Sequence, residues 1–266
     1  MRSWRDRKRA QFAPLLRGRG LEIGAFNQPF PFGPDADVLY ADVWTPDDVA
    51  RMAPGAKRPD IMSDSESFPT IADGSLDFVV ANHVLEHLTD PIRALIEWHR
   101  VLRDGGLLLM ALPDKRYTFD RPRTRTTLDH LLADHASTAP PRDRNYVHFV
   151  EWATHVERLQ PGSPEFNAWI SNAYERGGTV HNHVWVAVDI LRVLRWMARA
   201  GEASWSVERF LNTSPLTNEF VLLLRRSVRA NVPILRAYAG EPMQIAMAAL
   251  KRGLQNVSAI RRAINS

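Results

Sequence analysis

Three carboxylates stand at or near the ends of short apolar runs. Glu22 lies within Leu21-Glu22-Ile23-Gly24, Asp42 closes Val38-Leu39-Tyr40-Ala41-Asp42, and Asp64 closes Asp60-Ile61-Met62-Ser63-Asp64. A carboxylate at the end of a second strand can take both hydroxyls of a ribose, and Asp42 follows Glu22 by twenty residues. Asp64, closing a third run, falls where an adjacent base ring would lie. A ligand approaches a backbone closely only where no Cβ intrudes, so Gly24 suits a cofactor bed. Singly these are a turn glycine and loop aspartates. In this order and spacing they point to a nucleoside-bearing cofactor.

The first loop narrows the choice. A nicotinamide dinucleotide carries a pyrophosphate, whose fingerprint is three glycines in G-x-G-x-x-G. Here the loop reads Gly24-Ala25-Phe26-Asn27-Gln28-Pro29. It has one glycine, and Phe26 would obstruct phosphates. S-adenosylmethionine has no phosphate and needs fewer glycines.

The elements that must position these groups alternate. Short apolar runs at 20–24, 38–42, 60–64, 76–81, 107–112, 205–210 and 219–224 read as seven strands. Runs that are apolar throughout are buried on both faces, as in a parallel sheet covered by helices. Residues 91–102 repeat apolar positions near a 3.6-residue period and read as a helix, broken by Asp104-Gly105-Gly106; a second helix is expected over about 184–200. Alternating β and α elements give an open α/β fold. The alternation stops over 115–183, a 69-residue insert after strand five without a convincing strand.

Residues 20–114 resemble the class I S-adenosylmethionine-dependent methyltransferases of the methyltransferase type 11 group. The matching strings are Leu21-Glu22-Ile23-Gly24, the run from Leu76 through Asn82-His83-Val84-Leu85-Glu86-His87, Trp98 to Gly106, and Leu112-Pro113-Asp114-Lys115-Arg116. Phe26 departs from the pattern, since many members carry a second glycine there. The resemblance implies a Rossmann-like seven-stranded sheet, with the long insert as a substrate cap and a helical C-terminal extension. It implies that Glu22, Gly24 and Ala25 line the methionine end of the cofactor, that Asp42 holds the ribose and that Asp64 and Ser65 border the adenine. Asn82 and His83 would face the sulfonium and the incoming substrate. Glu86 and His87, on the following turn, are expected to serve as local hydrogen-bonding groups.

Specificity should then lie in the insert, which holds six of the nine histidines: 130, 135, 148, 155, 181 and 183. Methyl transfer to an alcohol needs a hydroxyl in line with the S–CH3 bond and somewhere for its proton to go. A neutral histidine is a suitable base. His181 and His183, in His181-Asn182-His183-Val184-Trp185, are the first candidates, then His148, with Asp114 or Asp120 orienting the base or holding a sugar hydroxyl. A His-x-His pair in an extended stretch puts both rings on one face. That pair would also suit a divalent metal with Asp114 or Asp120 as oxygen ligand, or two helix-approach residues bonded to backbone; no metal is assigned. Arg121, Arg123 and Arg125 could bind an anionic substrate group or form a solvated loop.

The resemblance is strongest to methyltransferases that accompany glycan assembly. An insert rich in Trp, Tyr, His, Asp and Arg also suits a sugar. O-methylation of a saccharide or glycan precursor is therefore the leading expectation. O- or N-methylation of another small metabolite is the alternative, as is a binding protein that has lost turnover. Nucleic acid is not expected as a partner: Asn82-His83-Val84-Leu85 is not the Asn-Pro-Pro-aromatic motif of such enzymes.

The charge distribution agrees. The 266 residues carry a formal net charge of +4, yet 1–19 holds +6 and 225–266 holds +7, which leaves −9 for the body between them. An acidic body repels phosphate. With no cysteine, thiolate nucleophiles and Cys-ligated metals are excluded. No apolar run reaches the ~20 residues of a spanning helix, and the basic start leads into no signal-like apolar stretch, so a cytoplasmic location is expected. The division expected is a basic segment 1–19, a methyltransferase domain 20–226 and a helical extension 227–266. The extension has one apolar stripe from Met243 to Ile264 flanked by basic residues. It could lie peripherally on the inner face of an anionic membrane, or pack on its own domain or another copy.

Overall fold

The computed structural model describes residues 4–175, 178–213 and 217–227. The amphipathic stretch within 228–266 lies outside the described residues. Seven strands form one sheet: β1 Gly18–Ile23, β2 Ala36–Asp42, β3 Ile61–Met62, β4 Leu76–Asn82, β5 Leu102–Pro113, β6 Ser204–Leu211 and β7 Glu219–Ser227. Their order is β3-β2-β1-β4-β5-β7-β6. β1 pairs in parallel with β2 and β4, β2 with β3, and β4 with β5, whereas β7 runs antiparallel between β5 and β6. This is the α/β Rossmann-like sheet of the class I methyltransferase fold.

Among the described residues seven α-helices accompany it: α1 Trp4–Ala10, α2 Pro46–Met52, α3 Pro91–Val101, α4 Leu128–Ala136, α5 Pro141–His155, α6 Pro164–Glu175 and α7 Ala187–Ala200. α3 begins cleanly because Asp90 accepts from the Arg93 amide and Pro91 has no amide proton to leave unpaired. Its apolar stripe of Ile92, Leu95, Trp98 and Val101 packs on one face of the sheet, with Ile190, Val193, Leu194 and Met197 of α7. The other face carries Phe12, Leu16 and Phe30 against Phe78, Val80 and Leu109. Both faces of β4 and β5 are thus covered, which is why their sequences read apolar throughout.

Two boundaries differ from the sequence reading. Asp104-Gly105-Gly106 does not interrupt the sheet: β5 begins at Leu102, pairing with Leu76, and the register shifts before Phe78 meets Leu107. Gly105 absorbs that shift at φ 72°. α7 begins at Ala187, not near 184, because the preceding segment is held extended. There the Val184 amide donates to Thr126 Oγ1 and the Lys115 amide to the Trp185 carbonyl.

The insert is helical, as its lack of strand pattern implied. α4, α5 and α6 account for most of it, and Phe149, Ala153, Phe166, Ile170 and Val180 form a small core of its own. Arg123 ties its segments to one another. This fully buried guanidinium donates to Asp120 Oδ1 at 2.9 Å, to Glu151 Oε2 at 2.8 Å and to the His181 carbonyl at 2.7 Å. It is spent on structure and is not free for a substrate anion. Arg125 likewise faces Asp189 at 3.5 Å.

Candidate active site

A cavity of about 480 Å³ opens at the carboxyl ends of β1, β2 and β4. Gly24, Phe26, Asp42, Asp64, Ser65, Glu66, His83, His87, Leu88 and Thr89 contribute to its wall; Pro141 and Thr179 come from the insert. Each wall residue is there for a local reason. β1 ends and the chain turns at Gly24, at φ 66°; a Cβ there would come 2.9 Å from Val84. Asp42 is half-buried at the end of β2 and accepts from the Trp44 amide at 3.2 Å. Asp64 accepts from the Glu66 amide at 3.0 Å, and Ser65 takes φ 70°. Of the residues expected to hold cofactor, Gly24, Asp42, Asp64, Ser65 and His83 line the cavity directly.

Glu22, Ala25 and Asn82 stand just behind. Ala25 is buried. Glu22 accepts from the Phe30 amide through Oε1 at 2.8 Å, while its Oε2 and the Asn82 Oδ1 are buried without a hydrogen-bond partner. Burial, only partly offset by the Phe30 bond, pushes Glu22 up to about 8. A buried, half-satisfied carboxylate beside a close-approach glycine is what the ammonium of a methionine moiety requires. Asp42 is placed for a ribose diol, and the Asp64–Ser65 turn for an adenine edge. The residues present fit S-adenosylmethionine. They do not fit a dinucleotide, because Phe26 occupies the loop at φ 39° where phosphates would pass.

Behind the cavity runs a chain of charges. Arg9 donates to Glu219 Oε1 at 3.1 Å, Glu219 Oε2 lies 2.8 Å from His83 Nε2, and His83 Nδ1 lies 3.4 Å from Glu86 Oε1. Burial opposes charge on His83, but Glu219 and Glu86 outweigh it and raise the ring to about 9. His83 is therefore an imidazolium at neutral pH and cannot accept a proton.

His87 is the opposite case. Its Nδ1 lies 2.9 Å from the Val180 carbonyl oxygen, which can only accept. Nδ1 therefore carries the proton and Nε2 the lone pair. Burial lowers its pKa further below 6.5. Glu86 is fully buried with neither oxygen in a hydrogen bond, and one atom each of Glu86, His87 and His181 lie within 4.8 Å of one another. His181 stacks edge-on against His87 at 4.8 Å, and its Nδ1 donates to Asp120 Oδ2 at 2.7 Å.

The structure separates the residues grouped as catalytic. His181 joins His87 beside the cavity. His183 and His148 do not: His183 is fully buried, with its ring 5.0 Å from His148 and 5.6 Å from His130. The two rings of the His-x-His pair enter different clusters, since residues 181–183 are not a regular strand. Asp114 is also engaged elsewhere, accepting from Arg116 at 2.6 Å and Thr213 at 2.7 Å at zero exposure. It anchors the end of β5. Conversely, His87, expected to be a local hydrogen-bonding group, lines the cavity, with Glu86 buried beside it. The His87 tautomer is set by Val180, 93 residues further along the chain.

Comparison with known proteins bears on residues 21–110, which match a family described as a methyltransferase domain. A 62-residue stretch is 44% identical to an uncharacterised 37.1 kDa protein in transposon TN4556 of Streptomyces fradiae. It covers 23% of this chain and only 18% of that protein. Among solved structures, a chain described as a Zn-dependent alcohol dehydrogenase from Rhodobacter sphaeroides is similar with a TM-score of 0.55 and 16% identity, over 83% of this chain and 90% of that one. A SAM-dependent methyltransferase from Thermotoga maritima gives a TM-score of 0.46 at 15% identity, over 84% and 89%. At such identities the first likeness shows a shared fold and no more.

Proposed function

We propose that this chain, whose residues 21–110 carry a methyltransferase domain with S-adenosylmethionine as cofactor, methylates a hydroxyl of a saccharide or glycan precursor. The observation that carries the reading is His87. A neutral imidazole with a fixed tautomer lines the same cavity as Asp42, Asp64 and Ser65, which suit an adenosine.

When bound, the cofactor supplies an electrophilic methyl group. The chain's own residues do the rest. Glu22, Asp42 and the Asp64–Ser65 turn hold the two ends of the cofactor. The acceptor hydroxyl would be placed within reach of both that methyl group and His87 Nε2. Its proton passes to His87 Nε2. The imidazolium so formed lies beside the buried carboxylate of Glu86, which it would share with His83. His181, oriented by Asp120, borders the same carboxylate with its Nε2 4.0 Å from Oε1 and positions it.

The sugar preference is supported by the cap. Phe119 is 53% exposed and packs 5.0 Å from Trp152 and 4.9 Å from His181. An exposed ring packed on His181, itself stacked on His87, offers a platform for the apolar face of a pyranose. Transfer of labelled methyl from the cofactor to a panel of sugars, sugar nucleotides and glycolipids tests the reading. Label in a sugar acceptor is expected; label only in amines or non-sugar alcohols contradicts it.

Glu22 gives a second test. In the free protein its raised pKa keeps most of the population protonated at pH 7. A cofactor ammonium beside it favours the carboxylate, so binding should release a proton. Calorimetric titration at pH 7 in two buffers of different ionisation enthalpy should give different heats. Glu22→Gln should remove that difference. Identical heats for the unaltered protein would exclude this role for Glu22.

A further inference from the structure

We propose that His130, Asp134, His148 and His183 form a divalent-cation site, of the kind zinc prefers, that staples the insert together. It is separate from the cavity, and none of its four residues lines the cavity. One ligating atom from each of the four lies within 4.8 Å of the others. His130 and Asp134 are one turn apart on α4 and share a face. His148 comes from α5, and His183 from the segment leading to α7.

The polar atoms of this cluster are unsatisfied. His130 Nε2, Asp134 Oδ2 and both ring nitrogens of His183 are buried without a hydrogen-bond partner. Protein interiors rarely leave such atoms without hydrogen bonds, and of these only the His130–Asp134 pair, 3.1 Å apart, has a charge contact in exchange for its lost hydration. Three imidazoles crowded at ring separations of 5.0 to 5.6 Å are an unfavourable packing for polar rings unless something sits between them. A cation would turn the same arrangement into a satisfied one.

The geometry is close to what such a site needs. Four nitrogen and oxygen ligands at about 2.0–2.1 Å from a tetrahedral centre stand about 3.3 Å from one another. His130 Nε2 and Asp134 Oδ2 are 3.1 Å apart, and His183 Nε2 is 3.9 Å from the same oxygen. The remaining pairs lie within 4.8 Å, so side-chain adjustment of about 1.5 Å or less closes the set. Three imidazoles with one carboxylate select zinc over the hard oxygen-loving cations. The set is closed, with no cavity-facing position, so the ion is structural and does not meet the substrate. Its effect on turnover would come through holding α4, α5 and the 181–183 segment, which carries His181, in place.

The test uses the full chain without a histidine tag, stripped with a chelator and then equilibrated with zinc chloride. About one equivalent of zinc should be retained after desalting, and the melting temperature should rise by several degrees. His130→Ala and His148→Ala should each lose the bound zinc, whereas His181→Ala, which removes none of the four ligands, should keep it. Because an alanine variant can fail to fold, the unaltered protein is also loaded with cobalt(II), which should give the intense visible absorption of a tetrahedral site. Zinc well below one equivalent, or zinc lost with His181→Ala and kept without His148, overturns the proposal. So does a weak octahedral cobalt spectrum.

Discussion

His87→Ala is expected to lower turnover by about 10²–10⁴-fold, the usual contribution of a positioned general base. Cofactor affinity should hardly change, because the ring's role is toward the acceptor. The pH profile separates this from mere loss of packing. The base works when neutral, and burial holds its pKa below 6.5. The acid limb of kcat should therefore fall below pH 6.5 in the unaltered protein and disappear in the variant. A His87→Ala enzyme that keeps the same acid limb, or loses less than about tenfold, would show that the proton goes elsewhere. His181, one ring away, would then be next to test.

The second large effect concerns stability. Glu219→Ala removes the shared partner of Arg9 and His83. Breaking a buried pair by deleting one member leaves uncompensated charge and costs about 3–5 kcal/mol. Here Arg9 loses its carboxylate and His83 keeps only Glu86, so equilibrium denaturation should place Glu219→Ala within that range. The loss should depend on pH in a definite direction. His83 titrates near 9 in the folded chain against an ordinary value of 6.5. A raised histidine contributes stability that is fully present below 6.5 and is lost as pH rises through about 9. The gap between wild type and variant should thus be widest at pH 6 and narrower by pH 9.5. A gap that stays constant over that range would mean that Glu219 does not hold the His83 proton.

These two residues show where sequence reading reaches and where it stops. The strands were legible because β4 and β5 are buried on both faces, so their apolar runs have no alternative explanation. The strand-end acids that line the cavity were legible for a related reason. In a parallel sheet the end of a strand is the ligand edge, so a strand boundary locates Asp42 and Asp64 without knowledge of any contact. The acid–base groups carry no such address. Glu219 opens β7 and meets His83, 136 residues earlier in the chain, only because β7 inserts antiparallel beside β5. His183 looks equivalent to His181 at a spacing of two. Yet the backbone there follows its bonds to Glu86 and Thr126 and not a strand pleat, so the two rings part.

The central claim is that the cavity at the ends of β1, β2 and β4 holds S-adenosylmethionine. The most direct measurement is thermal unfolding of the full chain against increasing S-adenosylmethionine, with NAD as the comparison. Ligand at about a hundred times its dissociation constant stabilises the folded state by ~2.7 kcal/mol. S-adenosylmethionine should raise the melting temperature in a saturable way, NAD should not, and Asp42→Ala should abolish the shift. No shift with saturating S-adenosylmethionine, or a saturable shift with NAD, would contradict the account.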